Sequence, residues 1–429
     1  MQTRQAQIPY RDGLASVRQV RYKLYPTPAQ LEVLERWNGL HCDLYNACLQ
    51  QRRDAYKKGK SVGYYDQQNE LPALKAAIPE YRSLGSHALQ ETVRRVDRAF
   101  QAFFRRVKRG EKPGYPRYKS RKSFVGFCYP DKAGWKFERG PNGKHGVLHL
   151  SNLGPIKARG KPRQWGEPLR VTLTRTSHGW YATVALRCQP ARKTGNIAVG
   201  IDLGVEAVAT LSDATRVENP RFLKQASNKL RGLQRQLARR KRFGSNWKRT
   251  KHKIARLHLK VANQRNDFQH KLTSLWVSRY GLIAIEELRV KNMTVGGGSR
   301  KAGLNRAILD VGMWGILQKL AYKAEEAGTR LVEVPTSRVK PSQTCPICLR
   351  QEKKPLAQRV HRCPCGCEMH RDQAAALVML RWAIHPWVHS RQAVLQGIYP
   401  WEPGGGEGPK SGSVEPRNPD HAGIAVGRG

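Results

Sequence analysis

Acidic residues are scarce in this chain. Asp and Glu number 32 against 78 Lys and Arg in 429 residues, a formal net charge of +46. That excess is far beyond what solubility needs; it attracts polyanions and makes the chain repel itself without one. Nucleic acid is the expected partner. An acidic membrane surface is the weaker alternative, since no helical stretch shows a clean apolar face flanked by lysine. The charge is spread along the whole chain, which points to a long nucleic-acid path and not to one basic tail. Long apolar runs are also missing: none reaches ~18 residues, so no transmembrane helix and no membrane partner is expected. The opening MQTRQAQIPYRDG lacks the apolar middle of a signal peptide. Cysteine is sparse and unevenly placed. Cys42, Cys48, Cys128 and Cys188 stand alone, while the other five of the nine fall between Cys345 and Cys367. Without a secretion signal this clustering excludes a disulfide framework and reads as zinc in a reducing compartment, most simply the cytoplasm.

What is present divides by texture. VRQVRYKLYP (17–26) reads as a strand. TPAQ follows, with Thr27 as cap, Pro28 at the first helical position and Gln30 completing a capping box. A helix then passes through Leu31, Leu34 and Trp37 towards Tyr56. Residues 86–110 place Leu89, Val93, Val96, Phe100, Phe103 and Val107 at helical spacing. The opposite face carries Arg94, Arg95, Arg98, Arg105, Arg106 and Lys108, a solvated surface or a phosphate-binding one. GEKPGYPRYKSRK (110–122) interleaves Tyr115 and Tyr118 with basic residues, a mix suited to stacking and phosphate contact. From 124 to 188 the chain reads as β, with PLRVTLTRT and GWYATVALRC pairing across a Ser177-His178-Gly179 turn within a small barrel.

IAVGIDLGVEAVATLSD (197–213) reads as a buried strand, a turn and a second strand. Residues 224–271 hold 16 Lys/Arg and one acid, Asp267, yet Leu230, Leu233, Leu237, Ile254, Leu257 and Val261 keep a helical stripe. This is a basic helical hairpin broken at Phe243-Gly244-Ser245. GLIAIEEL (281–288) reads as another buried strand, Ile308–Ala327 as one helix, and TRLVEVP (329–335) as a strand. Residues 383–429, with GGGEGPKSGS, resemble a disordered tail.

Three acids stand out. Asp202 ends IAVGID, Glu286 ends LIAIE, and Asp372 opens a helix through Ala375, Leu377 and Leu380. An unpaired buried carboxylate costs several kcal/mol, so such acids form turns, pair with bases or hold cations. Singly, each is ordinary: a strand-end turn former or an acid complementing a helix dipole. Together they can hold two Mg²⁺ about 3.5–4 Å apart and cut a phosphodiester. Cys345 and Cys348 form a firm zinc half-site. The second half needs two of Cys363, Cys365 and Cys367. Cys363 with Cys365 looks like a shortened knuckle, Cys363 with Cys367 is the alternate, and His361 or His370 could substitute.

These residues carry a resemblance. YKLYPTPAQ, AFFRRVKRGEKPGYPRYKSRKSF, GIDLGVEAVATLSD, IAIEELRVKNM, LNRAILDVGMWGILQKLAYKAEEAG, SQTCPIC and CPCGCEMHRDQAAA, in that order, resemble the TnpB (OrfB) family of transposon-encoded RNA-guided nucleases, related to type V CRISPR effectors. The match spans residues ~17–382. It implies a multidomain α+β fold: a helical recognition lobe inserted in a β-barrel wedge domain, then a RuvC-like nuclease of RNase H fold with an inserted zinc ribbon. The implied boundaries are a lead-in at 1–15, a first barrel strand at 16–26, the helical lobe at 27–112 and the barrel at 113–192. The nuclease follows at 193–340 with its basic hairpin at 224–275, the ribbon at 341–369, a last nuclease segment at 370–382 and the tail at 383–429. Asp202, Glu286 and Asp372 would be the catalytic triad holding two Mg²⁺, with Glu287 ranked behind Glu286 because it faces the other side of its strand. One structural Zn²⁺ would sit on Cys345, Cys348, Cys363 and Cys365.

The implied partners are a guide RNA from the transposon end and double-stranded target DNA, cut beside a short adjacent motif. The alternatives are a compact CRISPR-associated effector and a cleavage-deficient RNA-guided repressor. Two positions depart from the family pattern: Ala374 stands where an Asn is usual, and His370 where an acid is frequent.

Overall fold

The computed structural model describes residues 16–384, apart from 163, 190, 297, 356 and 357. The expected lead-in (1–15) and all but the first two residues of the expected tail lie outside the described residues. The chain opens with strand β1 (Ser16–Tyr25) and helices α1 (Pro28–Lys57), α2 (Tyr64–Asn69), α3 (Leu71–Ala77) and α4 (Ser86–Lys108). Thr27 caps α1, its hydroxyl accepting from the Gln30 N–H while the Gln30 side chain accepts from the Thr27 N–H. Strands β2 (Gly126–Tyr129), β3 (Trp135–Arg139), β4 (Gly146–Leu150), β5 (Gly154–Arg159), β6 (Glu167–Thr176) and β7 (Gly179–Cys188) follow. With β1 they form one antiparallel sheet in the order β2-β6-β7-β1-β5-β4-β3.

That sheet curls. β1 and β3 are three strand intervals apart, about 14 Å along a flat sheet, yet the Tyr22 and Phe137 ring centroids are 4.4 Å apart. The helices close over it. His41 of α1 stacks on Phe127 at 4.6 Å, and Asn38 donates to the Phe124 carbonyl at 2.9 Å. Helices and sheet share one core, built on Leu34, Trp37, Leu49, Leu89, Val93 and Val96 against Phe127, Leu148, Val171 and Trp180. The apolar stripe of α4 is buried only as far as Phe100; Val107 is exposed because the helix runs past the core there. Its basic face is partly engaged: Arg95 donates to the Gly126 carbonyl, Arg98 pairs with Glu91 and Arg94 lies over the Tyr64 ring. Arg105, Arg106 and Lys108 remain exposed.

The second half contains β8 (Ile197–Leu203), β9 (Ala207–Leu211), β10 (Arg216–Glu218), α5 (Phe222–Ala238), α6 (Ser245–Arg279), β11 (Tyr280–Glu286) and α7 (Val290–Met293). Then come α8 (Gly298–Val311), α9 (Met313–Ala327), β12 (Arg330–Val334), α10 (Thr336–Val339), β13 (Val360–Arg362), β14 (Glu368–His370) and α11 (Arg371–Ile384). Ile308–Ala327 is therefore not one helix. Gly312, at φ 66°, takes a left-handed conformation that ends α8 and starts α9. Likewise α11 runs to Ile384, so residues 383 and 384 are helical and not the start of a tail.

Five strands form a sheet in the order β10-β9-β8-β11-β12, with β8, β11 and β12 parallel. Strand alternation gives it two faces. Val199, Ile201, Ile283 and Ile285 face a core with α6 (Leu272, Trp276, Val277) and α9 (Met313, Ile316, Leu320). On the other face α11 brings Ala376, Val378 and Met379 against Ala284 and Val334. Gly200 makes that approach possible: a Cβ there would lie 1.8 Å from the Ala376 carbonyl oxygen.

The hairpin α5/α6 projects from this body. α5 buries no residue fully, and Leu230, Leu233, Leu237, Ile254 and Leu257 are half-buried between the two helices. Among the described residues no helix is long and apolar enough to cross a membrane.

Gly200→Ala should push α11 off the sheet and cost about 3 kcal/mol, the upper range for overpacking, read as a lower urea midpoint. Gly232→Ala on α5, where an added Cβ meets nothing within 4 Å, is the control and should leave the midpoint unchanged or raise it slightly.

Candidate active site and metal knot

Sheet register sets two of the three acids side by side. Ile201 of β8 pairs with Ile285 of β11 in the parallel ladder, and Asp202 and Glu286 are the next residues along. Both belong to the face that carries Gly200 and Ala284, under α11. Asp372 is four residues before Ala376, one helical turn or about 6 Å, and on the same helix face. Asp202 is two residues, about 6.6 Å, beyond Gly200. The Gly200–Ala376 contact is thus a pivot from which the strand carries Asp202 and the helix carries Asp372 to one place.

The electrostatics record that convergence. The Asp202 carboxyl is pushed up to about 8, first by burial, then by the charges of Asp372 and Glu286, against a smaller opposing effect of Arg371. Glu286 is also raised by burial, while a hydrogen bond with Thr336 works the other way. Asp372 is partly exposed; its N–H donates to His370 Nδ1 at 3.2 Å. Glu287 is exposed, with Arg289 3.8 Å away. Ala374, where the family pattern has Asn, is buried on α11.

Sequence reasoning passed over Arg371 and Thr336. Arg371 is buried and donates to the Pro355 carbonyl at 2.7 Å and the Gln358 carbonyl at 3.4 Å. Its place beside Asp372 was visible in the sequence, but its burial was not.

The cysteines close into a knot. The sulfur atoms of Cys345 and Cys365 are 3.6 Å apart and those of Cys348 and Cys363 are 3.4 Å apart. All four lie within 4.8 Å of one another. Zinc–sulfur bonds of about 2.3 Å in a tetrahedron put sulfurs about 3.8 Å apart, so these four fit a zinc ion. Burial first, and then hydrogen bonds among the cysteines, push the Cys345 and Cys348 thiols up to about 12; a divalent cation would supply the charge that makes them thiolates. A second group, Cys345, His361 and Cys367, also falls within 4.8 Å. His370 belongs to neither group. Among the described residues these are the only such clusters, so the three acids are spaced more widely than either.

Comparison with known proteins gives the family. The profile of the OrfB_IS605 family, described as "Probable transposase", matches residues 177–295. Profiles of a Cas12f1-like TNB domain and of an OrfB helix-turn-helix domain match residues 315–379 and 17–61. "Putative RNA-guided DNA endonuclease InsQ" of Escherichia coli (strain K12) is 31% identical over 360 residues, covering 80% of this chain and 86% of that protein. The chain belongs to the OrfB (TnpB) family. A relative in Streptomyces pristinaespiralis, "Putative RNA-guided DNA endonuclease", is 32% identical over 376 residues, covering 84% of this OrfB-family chain and 87% of that protein.

A solved structure titled "Cryo-EM structure of the Cas12f1-sgRNA-target DNA complex" aligns with TM-score 0.55 over 86% of this chain and 99% of that one. At 12% identity it shows a shared mixed α/β, multidomain fold. The segment matching the helix-turn-helix profile is here a strand and a single 30-residue helix.

The raised Asp202 pKa gives a pH signature in this OrfB-family chain. The protonated carboxyl stabilises the fold fully below the unfolded value near 3.8, and that stability is lost as pH rises to about 8. Without divalent cations, Asp202→Asn should therefore gain stability over wild type between pH 5 and 8, by at most about 1.4 kcal/mol per pH unit, and level off above. Melting temperatures across that range check it. Zinc measured by mass spectrometry should be near one per chain and fall to background in Cys345→Ser.

Proposed function

We propose that this chain is a transposon-encoded RNA-guided DNA endonuclease whose cutting centre is Asp202, Glu286 and Asp372. The observation that carries the reading is the convergence of three acids from remote segments at one end of parallel strands, where each raises the cost of ionising Asp202. Mutual repulsion of this kind destabilises a fold unless a cation resolves it. The donor set consists of hard carboxylate oxygens, partly open to solvent, which fits Mg²⁺ and the waters it retains. Bound there, Mg²⁺ would supply an activated water and neutralise charge on the leaving oxygen. Asp202 and Glu286 would hold it from the strands and Asp372 from the helix, with proton release from Asp202 linked to binding.

The finer architecture accords with the same reading. The sheet order, with its first three strands antiparallel and the next two parallel to the first, supports a RuvC-like domain of RNase H type. The curled seven-stranded sheet entered by β1 before the helices supports a wedge barrel interrupted by a recognition lobe. The cysteine knot between β12 and α11 supports an inserted zinc ribbon.

The 16 Lys/Arg of residues 224–271, on a hairpin with one acid, supply phosphate contacts for a guide RNA paired with target DNA. Such contacts read helix shape and leave sequence to base pairing. The guide would come from the transposon end; a guide from a repeat array would make the chain a compact CRISPR-associated effector with the same chemistry. Action on DNA in a prokaryotic cytoplasm belongs to the same proposal.

The test is purification with co-purifying RNA, sequencing of that RNA, and cleavage of matching DNA with Mg²⁺. Asp202→Ala should lose cleavage by at least ~10³-fold while retaining RNA. Undiminished cutting by that variant rejects the assigned centre; absence of a defined co-purifying RNA rejects guidance.

A further inference from the structure

Zinc in the cysteine knot, the reading on which this inference rests, leaves a charge unaccounted for. Four thiolates around one Zn²⁺ are formally a dianion, and a partly buried dianion needs donors and positive charge close by. Arg381 of α11 is one source: it donates to the Pro346 carbonyl at 2.9 Å and the Ile347 carbonyl at 2.7 Å, within the first knuckle. The second is less expected. Lys354 is 8% exposed, and the partners of its Nζ are His361 Nδ1 at 2.6 Å and the Arg362 carbonyl at 3.4 Å. Neither is an anion.

An ammonium only donates, so His361 Nδ1 must be the bare nitrogen. A neutral imidazole then carries its proton on Nε2. His361 is 2% exposed, and that Nε2 has no hydrogen-bond partner. Its ring lies with Cys345 and Cys367 in a group whose ligand atoms are within 4.8 Å of one another. A buried N–H without an acceptor is costly; a metal-bound thiolate sulfur of this group would accept it, and the charge of Lys354 on Nδ1 strengthens the N–H as a donor.

We propose that Lys354 and His361 form a donor relay to the zinc knot: Lys354 fixes the imidazole tautomer, and the Nε2–H donates to the Cys345 thiolate. His361 and Cys367 are then not ligands. For His361 to ligate through Nε2 while Nδ1 accepts from Lys354, the ring would have to be an imidazolate, a far more basic species than neutral imidazole. Cys367 is the spare buried thiol beside Cys345, and zinc stays on Cys345, Cys348, Cys363 and Cys365.

The experiment uses the full chain with three readouts: zinc stoichiometry, the rate of zinc release to a chromogenic chelator, and the charge-transfer spectrum after cobalt substitution. His361→Phe and Lys354→Met should each keep one zinc and a four-sulfur cobalt spectrum, while releasing zinc about 10- to 100-fold faster, the usual loss for an outer-sphere partner. The double variant should be little worse than either single, since both act through one N–H. His361→Gln, whose amide can donate, should recover part of the loss. Cys367→Ser should retain zinc and Cys365→Ser should lose it.

Loss of zinc or a changed cobalt spectrum in His361→Phe would make His361 a ligand and overturn the relay. Unchanged release in both His361→Phe and Lys354→Met would reduce the pair to packing and overturn it equally. Wild-type protein without stoichiometric zinc would instead overturn the zinc reading of the knot, a result visible before any variant is made.

Discussion

One close contact organises the second half of the chain: the backbone of β8 at Gly200 against the backbone of α11 at Ala376. No side chain separates them, because a Cβ at residue 200 would overlap the Ala376 carbonyl. The helix therefore lies directly on the strand, with Ala284 and Ala376 as the small residues that keep it there. From this contact the positions of Asp202 and Asp372 follow by the rise of a strand and of a helix, and parallel pairing adds Glu286. Position 200 has to be small so that position 202 can be reached by an acid 170 residues away in the chain.

The same helix joins the metal knot to the acids. Arg371, at its first residue, donates to carbonyls at 355 and 358, and Arg381 donates to carbonyls of the first knuckle. The cysteine-rich segment is thereby tied to both ends of α11. The cysteine knot thus fixes the chain immediately before Asp372, where a small displacement would separate it from Asp202.

Two opposed charge problems mark the molecule. At the acid cluster, like charges in a partly desolvated place call for a cation. Along residues 224–271, 16 cations with one acid call for a polyanion. Acids elsewhere are paired locally: Glu326 holds Arg18 and Arg192, and Asp310 pairs with Arg265 of α6 while accepting the Leu223 N–H.

Sequence alone determined what depends on neighbours in the chain. The Thr27 cap, the paired strands β6 and β7, the basic hairpin, the apolar strands ending in acids and the pairing of Cys345 with Cys348 on one turn were legible because their signals lie within a few residues. Ile308–Ala327 misread as one helix because a single Gly in an apolar pattern does not announce a left-handed φ. Tertiary structure decided the remainder: that Cys365 faces Cys345 while Cys367 packs beneath with His361, that Arg371 and Lys354 are buried, and that Asp202, Glu286 and Asp372 share one face. The physical reason is that these depend on strand register and on how closely a helix can approach a sheet, and both are settled by packing between segments with no local signature.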